Sequence, residues 1–242
     1  MNLSDFDVLS FDCYGTLIDW ESGLYAAVAP LLSRVGTGRS RDAVLEAFAL
    51  RESRQQALTP EMPYSDLLAE VHGQLAAGWG VTPDPAEDAR FGQSVGDWPP
   101  FPDTVEALRY LKRHFRLVIL SNVDRASFQA TGQRLGVAFD AIYTAQDIGS
   151  YKPDPRNFAY LLARQAEQGL ARGTILHVAQ SLFHDHVPAN AAGLASAWID
   201  RRHDVGGSGA TAPVAADVRY DFRFTSLGGL VEAHQAETRS PR

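Results

Sequence analysis

The feature that most constrains the fold is the alternation between Asp103 and Ala179. "DTVEALRYLKRH" has the apolar spacing of a helix, "RLVILS" is a short strand run, "RASFQATGQRLG" is helical, and "AIYTA" is a strand. "PRNFAYLLARQAEQG" is helical again and "TILHVA" is a strand. Amphipathic helices between short apolar runs rich in β-branched residues predict a parallel sheet covered on both faces. An earlier run, "FDVLSFD", has the same strand character and is predicted to join that sheet, after which Gly15 permits a tight turn.

Between these parts no strand is evident. Leu24, Val28 and Leu31 recur at helical spacing, as do Val44, Phe48 and Arg51, and then Leu67, Val71 and Leu75. The breakers "TPEMP", "TPDP" and "DWPPFP" separate these helices and close the segment. The prediction is an α/β chain with a Rossmann-like parallel sheet core, residues 1–20 and 98–242, and an all-helical cap, residues 21–97, inserted after the first strand. "DVGGSGATAPVAAD" reads as a flexible loop.

Composition narrows the function. The 242 residues carry a net charge of -7, which argues against a nucleic-acid surface, since phosphate binding needs clustered Lys and Arg. The single cysteine, Cys13, forbids an internal disulfide and makes the cytoplasm the default location. Alternation in the strand turns Cys13 away from Asp12, so it is read as a buried small hydrophobe. "LYAAVAPLL" is the longest apolar run, too short to span a bilayer, and no targeting segment is expected.

In a sheet of this kind ligands sit beyond the carboxyl ends of the strands. The residues placed there are Asp12, then Ser121 and Asn122, then Lys152, then the stretch from Gln180 to Asp185. A carboxylate, a hydroxyl, an amine and a second carboxylate thus converge on one rim. "HDH", His184 to His186, lacks the spacing and partners of a zinc site, so His184 is expected beside the pocket and no metal is expected there.

At these residues the chain resembles the haloacid dehalogenase-like superfamily. "DCYGTLID" is similar to its first motif, "LSN" to its second, "YKPDP" to its lysine motif and "VAQSLFHDHVPANAAGL" to its acidic motif, in the family's order. The resemblance implies that Asp12 is the nucleophile. Phosphatases of the superfamily carry a second aspartate two positions later as general acid; here Tyr14 stands there, a poor proton donor with an unperturbed pKa near 10. Magnesium-dependent members usually have an aspartate where this chain has Gln180. Both departures resemble the type II 2-haloacid dehalogenase branch, whose halide leaving group needs no proton. Two other positions differ from that branch: an extra residue precedes Asp185, and Phe158 stands where a tyrosine is common.

The activity so implied is hydrolytic dehalogenation of a small 2-haloalkanoic acid to the 2-hydroxy acid through an aspartyl ester, without cofactor. Thr16 is expected to hydrogen-bond Asp12, Lys152 to keep Asp12 ionised, and Asp185, with Lys152, to orient and deprotonate the hydrolytic water. Ser121 and Asn122 are expected at the substrate carboxylate, Tyr14 in the apolar wall, and Trp98 near the hinge. The carboxylate also calls for a cation, and Arg51, on the face of Val44 and Phe48, is expected to supply it ahead of Arg54. A homodimer is among the assemblies the resemblance implies. The alternatives are a phosphatase on a small phosphorylated metabolite and a catalytically silent anion-binding protein of the same fold.

Overall fold

The structure is a computed structural model, and it describes residues 1–36, 38–204 and 218–239. All of "DVGGSGATAPVAAD" except Asp204 lies outside the described residues.

Strand β1 (Val8–Phe11) leads into five helices: α1 (Trp20–Ala27), α2 (Ala29–Val35), α3 (Arg41–Leu58), α4 (Tyr64–Gly78) and α5 (Pro85–Gly92). The chain then runs through α6 (Thr104–Leu111), β2 (Arg116–Ser121), α7 (Arg125–Leu135), β3 (Ala141–Thr144), α8 (Ala145–Ile148), α9 (Pro155–Glu167) and β4 (Ile175–Ala179). It ends with α10 (Val187–Ala191), β5 (Ala195–Ile199), β6 (Phe222–Phe224) and α11 (Leu227–Arg239). Each strand singled out in the sequence is present. The sequence reading stopped at β4, and the structure adds two strands beyond it.

The strands form one parallel sheet in the order β3-β2-β1-β4-β5-β6. Every residue of β1 and β4 is buried, which explains their near-continuous apolar runs. From β1 the chain builds outward through β2 and β3 on one side, and returns to place β4 on the other. The switch point of the sheet therefore lies between β1 and β4, where ligand crevices form in open α/β sheets. Registry brings the strand ends together: Phe11 pairs with Ile119 of β2 and Val178 of β4, so Asp12 emerges level with Leu120 and Ala179, one residue before Ser121 and Gln180.

Local chemistry fixes the helix starts. Asp19 caps α1 through the Ser22 N–H, Ser40 caps α3 through the Ala43 N–H, and Asp154 precedes Pro155 at the first position of α9. Asp124 caps α7 through the Ser127 N–H and also accepts the Ser65 N–H from the start of α4, tying the inserted helices to the sheet domain. Trp98 is buried where the chain returns from the insertion, packed edge-on against Tyr14 and directly over Gly23, where a Cβ would fall 2.3 Å from its ring.

Candidate active site

A cavity of ≈ 50 Å³ opens over the carboxyl ends of β1, β2 and β4, enough for a few waters or one small substrate. Its floor is Asp12, Ser121, Asn122, Lys152, Gln180, Ser181, His184 and Asp185; Tyr14 and Trp20 form a side; Glu52, Gln56 and Tyr64 close it from the helical insertion.

Lys152 organises the floor. Its ammonium is buried and donates to Asp12 Oδ1 at 2.9 Å, Asp185 Oδ1 at 2.6 Å and the Leu120 carbonyl at 2.9 Å. An ammonium has three protons, so none is left for a substrate or a water. Lys152 therefore holds the two carboxylates in place, with all three protons engaged within the floor. The two carboxylates raise its pKa against the pull of burial.

Asp12 is gripped from its other side by Thr16, whose hydroxyl donates to Oδ2 at 2.8 Å and itself accepts the Gln180 N–H at 2.9 Å. Each Asp12 oxygen thus accepts one bond from the chain and keeps lone-pair capacity for attack. Burial lifts the Asp12 pKa, and the neighbouring Asp185 charge adds to this, against the opposing pull of Lys152. Gly15, just beyond, has φ +96°, and a Cβ there would crowd Trp20 Nε1 at 3.0 Å and Gln180 Oε1 at 3.2 Å. Only glycine suits that turn. Cys13 is fully buried in the core, where burial pushes its thiol well up.

Asp185 sits in a single π-helical turn, Leu182–His186, after β4. The same Oδ1 that accepts from Lys152 is also 2.9 Å from His177 Nε2, and His177 Nδ1 is 2.7 Å from Ser10 Oγ. Phe158 packs edge-on against the His177 ring at 4.9 Å. Burial would raise the Asp185 pKa, but the Lys152 charge and the His177 bond outweigh it and hold the carboxyl far below the ordinary range. With Oδ1 doubly engaged, Oδ2 is the oxygen left to meet a water. Sequence reasoning missed the His177 pairing because a histidine inside an apolar strand run carries no spacing signal.

The other predicted residues divide. Ser121 lines the cavity, and its Oγ is buried with no hydrogen-bond partner among the described residues. The Asn122 side chain is instead committed to the Lys152 backbone, donating to its carbonyl at 3.0 Å and accepting its N–H at 2.6 Å. It anchors the lysine loop while also lining the cavity floor. The Tyr14 ring lines the cavity, but its hydroxyl is paired with Thr131 Oγ1 at 2.9 Å on α7, and burial pushes its pKa well up. So weak an acid is a poor proton donor to a leaving group. His184 lines the cavity with its ring held neutral by burial, its pKa pulled down to about 4.

Arg51 does not reach the cavity. Its Nη1 donates to the Ala47 carbonyl at 2.9 Å, and its guanidinium lies over Gly78 of α4, where a Cβ would fall 2.5 Å from Nη2. Arg54 is exposed. At ~100° per residue, positions 51 and 52 flank position 48 by about 60° on one side and 40° on the other, so spacing alone could not choose between them. The buried stripe of α3 continues from Phe48 to Glu52 and Gln56. The cation expected there is replaced by a carboxyl: Glu52 is buried, accepts the Tyr64 hydroxyl at 2.6 Å, and is raised by burial to about 7.

These residues do not suit a divalent cation. The position between Asp12 and Asp185 is bridged by the Lys152 ammonium, and Gln180 offers an uncharged amide where a third carboxylate would be needed. His186 is turned away from the cavity to Ser196 Oγ and the Ala179 carbonyl, each at 3.0 Å. Among the described residues no group of three His, Cys, Asp or Glu side chains is placed to hold a metal.

The model of a haloacid dehalogenase-like hydrolase matches residues 6–179, a span running from β1 through the insertion to the end of β4. The chain belongs to the haloacid dehalogenase-like hydrolase family. An (S)-2-haloacid dehalogenase of Pseudomonas fluorescens is 29% identical over 203 residues, covering 80% of this chain and 84% of the relative. A defluorinating L-2-haloacid dehalogenase superposes with a TM-score of 0.77 at 23% identity, covering 95% of each chain. The L-2-haloacid dehalogenase from Xanthobacter autotrophicus, solved with chloropropionic acid covalently bound, gives 0.76 at 21% identity, covering 97% of this chain and 100% of that one. Both solved structures share this family member's fold. No helix among its described residues is long and apolar enough to cross a membrane.

Proposed function

We propose that this chain hydrolyses the carbon–halogen bond of a small 2-halo acid. An Asp12 carboxylate oxygen attacks C2 from the face opposite the halogen, and the halide departs with the bonding electron pair, leaving an aspartyl ester. A water held at Asp185 Oδ2 then gives a proton to Asp185 and attacks the Asp12 carbonyl carbon. The ester C–O bond to Asp12 breaks, the departing alkoxide oxygen takes the proton back from Asp185, and the 2-hydroxy acid leaves with inverted configuration. The Ser121 hydroxyl, unpartnered at the cavity floor, donates to the substrate carboxylate.

The observation that carries this reading is the Tyr14 hydroxyl. The residue two places after the nucleophile has its hydroxyl paired with Thr131 Oγ1 and made still less acidic by burial, so the site favours a leaving group that needs no proton. Halide meets that requirement and an alkoxide does not. The (S)-2-haloacid dehalogenase relatives point to the same chemistry. The test is halide release from a panel of 2-halo acids by protein treated with a chelator. Stoichiometric halide and hydroxy acid are expected; release only after magnesium is added, or phosphate release from esters in its place, would replace this reading.

A further inference from the structure

The insertion contributes three polar groups to the cavity, and none is a cation. Glu52 is 6% exposed and Gln56 is 8% exposed, yet both line the same cavity as Asp12. Tyr64 donates its hydroxyl to Glu52 Oε1. Neither Glu52 Oε2 nor the Gln56 amide has a protein partner among the described hydrogen bonds and ion pairs. Among the described residues Lys152 is the only Lys or Arg lining the cavity, and its protons are all taken within the floor.

A buried acceptor that faces a ligand must be met by a donor or left unsatisfied, and unsatisfied groups of this kind are what let a site reject an isostere lacking the hydroxyl. We propose that Glu52, held by Tyr64 and flanked by Gln56, selects 2-halo acids carrying a hydrogen-bond donor, such as a hydroxyl, beyond the reacting carbon over plain haloalkanoates. This rests on the dehalogenase reading and specifies its substrate. The geometry divides the work: Ser121 on the floor takes the carboxylate beside Asp12, and the Glu52 wall takes the substituent. A plain alkyl chain in the same place would bury the Glu52 oxygen against methyl groups with no partner.

The test compares two substrates of the same shape, 2-chloro-3-hydroxypropanoate and 2-chlorobutanoate, by chloride release at a pH of about 8, with enzyme-free blanks subtracted. Wild-type kcat/KM should favour the hydroxy substrate by about tenfold or more. Glu52→Leu should bring that ratio close to one, and Glu52→Gln, which keeps an acceptor oxygen, should retain most of it. Gln56→Leu serves as a second wall variant if Glu52→Leu does not fold. A wild-type ratio near one, or a ratio that survives in Glu52→Leu, overturns the proposal.

If neither substrate releases chloride, the dehalogenase reading fails and the wall is tested by binding. Calorimetry with 3-hydroxypropanoate and butanoate, which have the same shape and no halogen, should show tighter binding of the hydroxy acid in wild type and equal binding in Glu52→Leu. Equal binding in wild type overturns the proposal independently of any turnover.

Discussion

His177 Nε2 lies 2.9 Å from Asp185 Oδ1, so a histidine buried in the middle of β4 orients a carboxylate that projects from the turn after that strand. His177 Nδ1 lies 2.7 Å from Ser10 Oγ, so both ring nitrogens are engaged and the ring orientation is fixed. A hydrogen bond to a charged group contributes about 1.5–3 kcal/mol, so His177→Phe should lower kcat by roughly tenfold to a hundredfold. The loss should fall on hydrolysis of the ester. Rapid-quench measurement should then show a larger burst of halide ahead of hydroxy acid, with little change in KM; equal formation rates for the two products would exclude this role.

Asp12 and Asp185 act at different steps and should fail differently. Asp12→Asn should abolish halide release, by a factor on the order of a thousand or more. Asp185→Asn should release about one equivalent of halide and then stall, with the aspartyl ester visible as an added mass on the intact protein. Because burial raises the Asp12 pKa, the acid limb of kcat/KM should lie above the ordinary aspartate value of 3.8, with activity falling as the nucleophile is protonated.

Tyr14 offers a test of the leaving-group argument. Its hydroxyl bonds Thr131 on α7 and faces no reacting atom, so Tyr14→Phe should keep halide release within about threefold of wild type. It should lose about 1 kcal/mol of stability as the Thr131 hydroxyl loses its partner. A drop of a hundredfold in kcat at unchanged stability would make the phenol a participant in the chemistry.

Ser121 and Arg51 make a matched pair. Ser121→Ala removes an unpartnered donor at the cavity floor and should raise KM for 2-halo acids by about tenfold with kcat little changed. Arg51→Ala should leave KM within about twofold, because the guanidinium is turned to Ala47 and Gly78. The reverse pattern would place the anion site on the α3 flank after all.

Glu52 should make stability fall as pH rises. Its folded value of about 7 lies above the ordinary 4.5, so the folded chain binds this proton more tightly than the unfolded chain does. The contribution is complete below 4.5 and declines as pH rises through about 7, by up to roughly 3 kcal/mol. Glu52→Gln keeps the acceptor for Tyr64 and removes the titration, so its Tm should exceed that of wild type at a pH of about 8 and match it near 5. His184 and His186 act oppositely: their folded values of about 4 lie below 6.5, so their contribution is present at neutral pH and lost as pH falls between those values. A Tm difference for Glu52→Gln that does not vary with pH would show that Glu52 is not the titrating group.

The sequence by itself determined the parallel sheet that β1 joins, the helical insertion and the set of groups at the strand ends. Those features follow from periodicity and from the rule that parallel strands present their carboxyl ends to one rim. Even the departures from the family pattern, Tyr14 and Gln180, are readable from position alone. Tertiary structure decided how those groups are used. Whether Asn122 meets a ligand or anchors the Lys152 loop depends on a partner 30 residues away, and His177 acquires its meaning only when the turn after β4 folds Asp185 back onto it. The insertion wall was the least legible part. Arg51 and Glu52 are neighbours flanking one helical stripe, and which of them enters the cavity depends on how α3 rotates against α4, a packing outcome that helical spacing does not encode.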